Sequence, residues 1–133
     1  PALVGGNETL LIVEDEPAIR NVVHRVLTSC GYQVILASNP EEALAYSDDD
    51  DLAIHMLITD VVLPGMNGKD LTEAILARRP NLRVLYMSGY TANVIAHHGV
   101  LDAGVDFLQK PFSIANLTGK VREVLDRAQA ETH

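Results

Sequence analysis

Five short apolar runs, each followed by a stretch with helical spacing, limit what this chain can fold into. The runs are Thr9–Val13, Gln33–Ala37, Met56–Asp60, Leu82–Met87 and Val105–Gln109. Apolar runs of this length between turn residues read as buried strands. After the first run, Ile19, Val22, Val23, Val26 and Leu27 recur at helical spacing. A helix is therefore expected from Pro17 to about Ser29, with Gly31 just past its end. Asn39-Pro40-Glu41-Glu42 opens a second helix with a cap, a proline and acids in the first turn, and that helix carries Ala43, Leu44 and Tyr46. A third is expected from Asn67 to about Arg79, with Leu71, Ala74, Ile75 and Leu76 as its apolar face and Pro80 as its stop. A weaker fourth covers roughly 92–102 and contains Gly99. A closing helix is led in by Ser113 or Asn116 and runs to about Arg127, with Ile114, Leu117, Val121, Val124 and Leu125 inward. Strands alternating with helices imply a parallel sheet covered on both faces. The C-terminal tips of parallel strands share one edge, and ligands of such sheets bind there.

At 133 residues the chain is one domain with room for a core. Residues 1–8 read as a linker with Gly5-Gly6 as breaker, 9–128 as the folded unit, and 129–133 as a tail. A start at Pro1 without Met fits a processed product or a module cut from a longer protein. The formal charge of −8 argues against nucleic acid as a direct partner, since phosphate binding needs a basic face. No apolar run reaches membrane-spanning length. The single Cys30 excludes an internal disulfide, suits a reducing cytoplasm, and reads as a small half-buried residue. The acidic run Asp48–Asp51 reads as a solvated loop, because it lacks the Gly bend and distal Glu of a calcium loop. His97-His98 point about 100° apart on a helix and do not form a ligand pair. Arg78-Arg79 suit a helix C-terminus.

The strand tips collect Glu14 and Asp15, Asp60, Ser88, and Lys110. Three neighbouring carboxylates make a hard oxygen site of the kind Mg²⁺ (or Mn²⁺) accepts. Lys110 adds a mobile point charge, and Ser88 adds a hydroxyl donor. A carboxylate nucleophile, a metal, a lysine and a hydroxyl are the parts that phosphoryl transfer needs. Asp60, alone at the end of a central strand, is the best nucleophile in the set.

Val-Glu-Asp-Glu-Pro (13–17), Thr-Asp-Val-Val-Leu-Pro-Gly-Met-Asn-Gly (59–68), Met-Ser-Gly-Tyr (87–90) and Leu-Gln-Lys-Pro-Phe (108–112) resemble the receiver domain of two-component signalling. The resemblance covers about residues 9–127 with the motifs in order. It implies a flavodoxin-like (βα)5 three-layer sandwich with a five-stranded parallel sheet of order 2-1-3-4-5. It implies phosphorylation of Asp60 from a phosphohistidine on a histidine kinase or histidine phosphotransfer protein. Asp15, Asp60 and the Val62 backbone carbonyl would bind Mg²⁺ directly, with Glu14 acting mainly through water. Ser88 and Lys110 would contact the phosphoryl oxygens. Phe107, with Ser88 and in part Tyr90, would form the switch. The Lys110–Pro111 peptide would be cis. The resemblance also implies self-association through the face of the fourth helix, fifth strand and fifth helix, with no membrane contact by this domain. Glu14 departs from the commoner Asp, and Val62 and Tyr90 lie at positions thought to tune dephosphorylation.

The start, together with Tyr-Met-Ser-Gly-Tyr-Thr and Phe-Leu-Gln-Lys-Pro-Phe, is similar to receivers at the C-terminus of hybrid sensor histidine kinases. The domain itself would then be cytoplasmic and no conventional enzyme, self-phosphorylating and autodephosphorylating at Asp60. Its parent chain would be a histidine kinase, with membrane anchorage left open. Three other readings compete: a stand-alone single-domain response regulator, a binding module on the same fold, and a small Mg²⁺-dependent phosphatase. Such phosphatases usually carry a second Asp two residues after the nucleophile, where this chain has Val62.

Overall fold

The computed structural model of the chain describes residues 5–89 and 105–131, with side chains as far as Arg127. The apolar runs form strands β1 (Thr9–Val13), β2 (Gln33–Ala37), β3 (Met56–Asp60), β4 (Arg83–Ser88) and β5 (Phe107–Gln109). All pair in parallel, in the order β2-β1-β3-β4-β5. The strand period of two divides their side chains between two cores. Leu10, Ile12, Met56, Ile58, Leu85 and Met87 face one way. There they meet Val23, Val26 and Leu27 of helix α1 (Pro17–Ser29) and Leu117, Val121, Val124 and Leu125 of the closing helix (Ile114–Glu131). Leu11, Val13 and Leu57 face the other way, onto Ala43 of α2 (Pro40–Ser47) and Leu71 and Ile75 of α3 (Gly68–Arg78). Three layers result. Central β3 is buried at all five positions, which brings Asp60 to the sheet edge with little water.

The helix starts follow from local chemistry. Asn39 accepts from the Glu42 N–H, Asn67 from the Asp70 N–H and Ser113 from the Asn116 N–H, each satisfying a donor the helix leaves open. Ser113, rather than Asn116, is thus the cap of the closing helix.

Several boundaries and faces differ from the sequence reading. Strand β4 begins at Arg83 and reaches Ser88, while β5 begins at Phe107, leaving Val105 exposed. Ile114 is half exposed because it opens its helix before the helix reaches the sheet. Val22 is exposed because it sits one residue, about 100°, off the stripe of Val23, Val26 and Leu27. The closing helix continues to Glu131, past Arg127. The expected helix over 92–102, with Gly99 and His97-His98, lies outside the described residues.

Residues 5–8, read as linker, are tied down. The Gly6 N–H donates to the Cys30 carbonyl at 3.2 Å, and the Gln33 N–H donates to the Glu8 carbonyl at 3.0 Å. Arg122 of the closing helix grips both Glu8 oxygens, at 3.0 and 2.7 Å. A Cβ on Gly5 would lie 2.1 Å from the Cys30 carbonyl oxygen, so glycine is required there for close approach and not for mobility. Arg78 donates to the Ala74 carbonyl of its own helix. Arg79 instead spans to the carbonyls of Ser47, Asp49 and Leu52, anchoring the exposed acidic loop by its backbone.

Candidate functional site

Strand β3 carries Asp60 to the edge, and the loop that follows holds it there. The Val61 N–H donates to the Met87 carbonyl at 2.9 Å, and the Gly68 N–H to the Val61 carbonyl at 2.7 Å. The Val62 N–H reaches Asp60 Oδ1 at 3.3 Å. Gly68 is packed so closely that a Cβ there would lie 2.2 Å from the Asp60 carbonyl oxygen. The Asp60 backbone is thus fixed by the loop on both sides and its carboxylate takes one backbone donor, while the Val62 side chain stands in solvent.

Lys110 joins the strand tips. Its Nζ donates to Asp60 Oδ2 and to Glu14 Oε2, both at 2.7 Å. The Lys110 N–H donates to the Ser88 carbonyl at 2.8 Å, tying the ends of β4 and β5 together, and the Lys110–Pro111 peptide is cis. Glu14 is fully buried, and Oε1 accepts from the Glu16 N–H at 3.1 Å. Its own carbonyl accepts from Arg20 Nη1 at 3.0 Å, a contact the sequence reading missed. Ser88 is buried. Phe107 is half-buried against Val61 and Tyr86. Tyr90 lies outside the described residues.

Burial pushes the Glu14 carboxyl above the ordinary carboxylate range. The Lys110 ammonium and the Glu16 N–H oppose that shift, and the charge of Asp60 adds to it. Burial alone would lower Lys110, but its hydrogen bonds to Asp60 and Glu14 outweigh this and hold it above the usual lysine value. The asymmetry is physical: the ammonium has two acids, and each acid has a share in one ammonium.

Glu14, Asp15 and Asp60 each offer a carboxylate oxygen within 4.8 Å of the others. With Lys110 they carry three negative charges against one positive. An all-oxygen set with excess negative charge suits a hard divalent cation, and the residues present fit Mg²⁺. A divalent cation held by such a cluster, together with the lysine beside it, could supply positive charge to an anionic ligand at this edge.

Comparison with known proteins agrees with this geometry. The response regulator receiver domain family matches residues 10–122. The chain is 35% identical over 124 residues to the sensor kinase CckA of Brucella abortus (strain 2308), covering 93% of this chain and 13% of that protein. It is 35% identical over 126 residues to the DNA-binding transcriptional regulator NtrC of Rhizobium meliloti (strain 1021), covering 92% of this chain and 24% of that protein. The chain therefore spans a small part of either relative. Among solved structures, the receiver domain of the hybrid histidine kinase CckA superposes with a TM-score of 0.74 at 35% identity, over 88% of this chain and 98% of that one. A CheY-like receiver domain protein from Methanospirillum hungatei JF-1 superposes with a TM-score of 0.79 at 27% identity, over 95% and 99%. With the strand order, the acidic cluster and the lysine at its centre all in place, this chain belongs to the response regulator receiver family of two-component signalling.

Proposed function

We propose that this receiver accepts a phosphoryl group on Asp60 from a phosphohistidine, in an Mg²⁺-dependent reaction. The observation that carries the reading is the single Lys110 ammonium held between Asp60 and buried Glu14, with Asp15 alongside. Receiver domains in general interact with histidine kinases or phosphotransfer proteins and bind Mg²⁺.

Asp15, Asp60 and the Val62 carbonyl would hold the ion, with Glu14 acting through water. When bound, it would supply positive charge to the phosphoryl oxygens. An Asp60 carboxylate oxygen forms the new bond to phosphorus. The phosphorus–nitrogen bond of the donor breaks, and its electron pair leaves with the imidazole. Lys110 stays within reach of the charge it already faces at Asp60, now spread over the phosphoryl oxygens. Ser88, at the next strand tip, donates its hydroxyl to one of those oxygens. Its inward movement, followed by Phe107 and Tyr90, shifts a pre-existing equilibrium of the face formed by the segment before β5, by β5 and by the closing helix. That face would change its contacts with a kinase, a phosphotransfer protein or a second receiver. Autodephosphorylation resets the site.

Likeness to the CckA receiver supports a place at the C-terminal end of a cytoplasmic hybrid-kinase segment. Comparable likeness to NtrC keeps a separate response regulator as the second reading. The decisive experiment uses acetyl phosphate and MgCl₂, followed by intact-protein mass. The chain has no Trp, so mass replaces intrinsic tryptophan fluorescence as the readout. One phosphoryl adduct is expected on wild type and none on Asp60→Asn. No adduct on wild type, or an equal adduct on the variant, overturns the reading.

A further inference from the structure

Every polar group of Glu14 is occupied, and each partner comes from a different place. Its N–H donates to the Ala37 carbonyl at the end of β2 at 3.1 Å. Oε1 takes the Glu16 N–H and Oε2 takes Lys110. Its carbonyl takes the Arg20 guanidinium. Asp15 is the opposite case. It is exposed, and among the described residues its carboxylate has no hydrogen bond or ion pair. With no side-chain partner to orient it, the reach of that carboxylate is set by where the Asp15 backbone starts it and by its own rotamers. The peptide that leads into Asp15 is the one whose carbonyl Arg20 holds.

The position of Arg20 is itself unusual. It stands at the fourth residue of α1, where the helix dipole disfavours a cation, and the first turn of α1 has no acid and no side-chain cap. Something other than helix stability accounts for a guanidinium there. A second brace adjoins it. The Ser38 N–H and hydroxyl hold Glu42 Oε1 at 2.6 and 2.8 Å. Those bonds chiefly lower the Glu42 carboxyl, and the nearby positive charge of Arg20 lowers it further.

We propose that Arg20 is a positioning residue for the cation site: by fixing the Glu14–Asp15 peptide it presents Asp15 to the point shared with Asp60. It touches neither phosphoryl group nor ion. This rests on the Mg²⁺ reading above. Residues one shell out from a metal commonly alter affinity by about 10–100-fold when lost. The contact here is a single bond to a carbonyl, so about tenfold is expected.

The test is an MgCl₂ titration of Arg20→Met, Arg20→Lys and wild type, read by calorimetry and by backbone amide shifts. Thermal unfolding in EDTA and acetyl-phosphate rates across Mg²⁺ concentration accompany it. Arg20→Met keeps the apolar stem of the side chain. It should weaken Mg²⁺ by about tenfold, keep the wild-type unfolding midpoint in EDTA, and regain the wild-type phosphorylation rate at saturating Mg²⁺. Arg20→Lys, which can still donate to the carbonyl, should recover most of the affinity. An unchanged affinity in Arg20→Met overturns the inference. So does a weakened affinity that tracks a fall in EDTA stability and is not rescued by lysine, since that marks a merely structural role. Wild-type protein that binds no Mg²⁺ overturns the functional reading and this inference together, whereas normal wild-type binding isolates the fate of Arg20.

Discussion

Lys110 and Arg122 each hold a glutamate carboxylate at 2.7 Å, Glu14 and Glu8, at opposite ends of the same sheet. These two glutamates respond in opposite directions. At the clasp, the Arg122 hydrogen bonds hold Glu8 below the ordinary carboxylate range. At the strand tips, burial drives Glu14 above it, despite an ammonium at equal distance. Distance does not separate the two cases; burial and sharing do. Arg122 meets Glu8 with two parallel hydrogen bonds, where Glu8 keeps a little contact with water that Glu14 lacks, and adds Asp126 on its own helix. Lys110 is divided between two buried acids, with a third close by. The clasp is electrically satisfied and serves structure. The tips carry an unmet demand for positive charge.

Removing each cation tests that contrast most strongly. Lys110→Met leaves Glu14 buried without its counter-charge, and breaking buried pairs of this kind commonly costs about 3 kcal/mol or more. Urea unfolding in EDTA should show a loss of about that size. Arg122→Met leaves Glu8 without its guanidinium but still touching water, and should lose less, about 1.5 kcal/mol, the lower end for hydrogen bonds to a charged group. Equal losses would erase the distinction.

The pH response sharpens it further. A carboxyl raised in the folded state adds stability that is fully present below the unfolded value and is lost as pH rises through the folded one. A lowered carboxyl adds stability that is present above the unfolded value and is lost as pH falls through the folded one. Wild type should therefore gain on Glu14→Gln as pH drops from neutral through the raised Glu14 range. Its advantage over Glu8→Gln should shrink on further acidification into the ordinary carboxylate range and below. Unfolding curves across pH in EDTA decide both, and parallel trends would contradict the opposite shifts. The smallest effect is expected for Asp15→Asn. Relief of like-charge repulsion should raise EDTA stability by roughly 0.3 kcal/mol, as for exposed charge pairs, and the stabilisation by Mg²⁺ should vanish. A loss of stability in EDTA would mean that the cluster is not overcharged.

Much of this arrangement is legible in the residues alone. The runs at Thr9, Gln33 and Met56 match their strands at both ends because both faces of each pack on apolar side chains, fully for β3 and only partly for the edge strand β2. Asn39 and Asn67 announce helix starts because a capping side chain acts within four residues. The strand order came from the family resemblance, since nothing local distinguishes one parallel neighbour from another. The long reaches of Arg20, Arg122 and Arg79, the last legible only as a helix-end cation, escape the sequence for a related reason. Each side chain binds through one guanidinium to a backbone carbonyl or a distant acid, and such contacts leave no period in the sequence. Arg20 did leave a trace, as a cation in a first turn. Gly5-Gly6 reads as the breaker of a linker because the composition of a close-packed crossing and of a linker is the same.

That crossing bears on how partners could meet the domain. A five-residue strand rises roughly 16 Å, so Glu8 and the strand tips stand about that far apart along the sheet. Gly5 and Gly6 lie at the pole away from Asp60, so a domain joined on the N-terminal side would be tethered there. A donor carried on such a tether would reach Asp60 only by folding back around the domain. Its effective concentration at the site would then depend on tether length, falling to nothing when the tether is too short to make the turn.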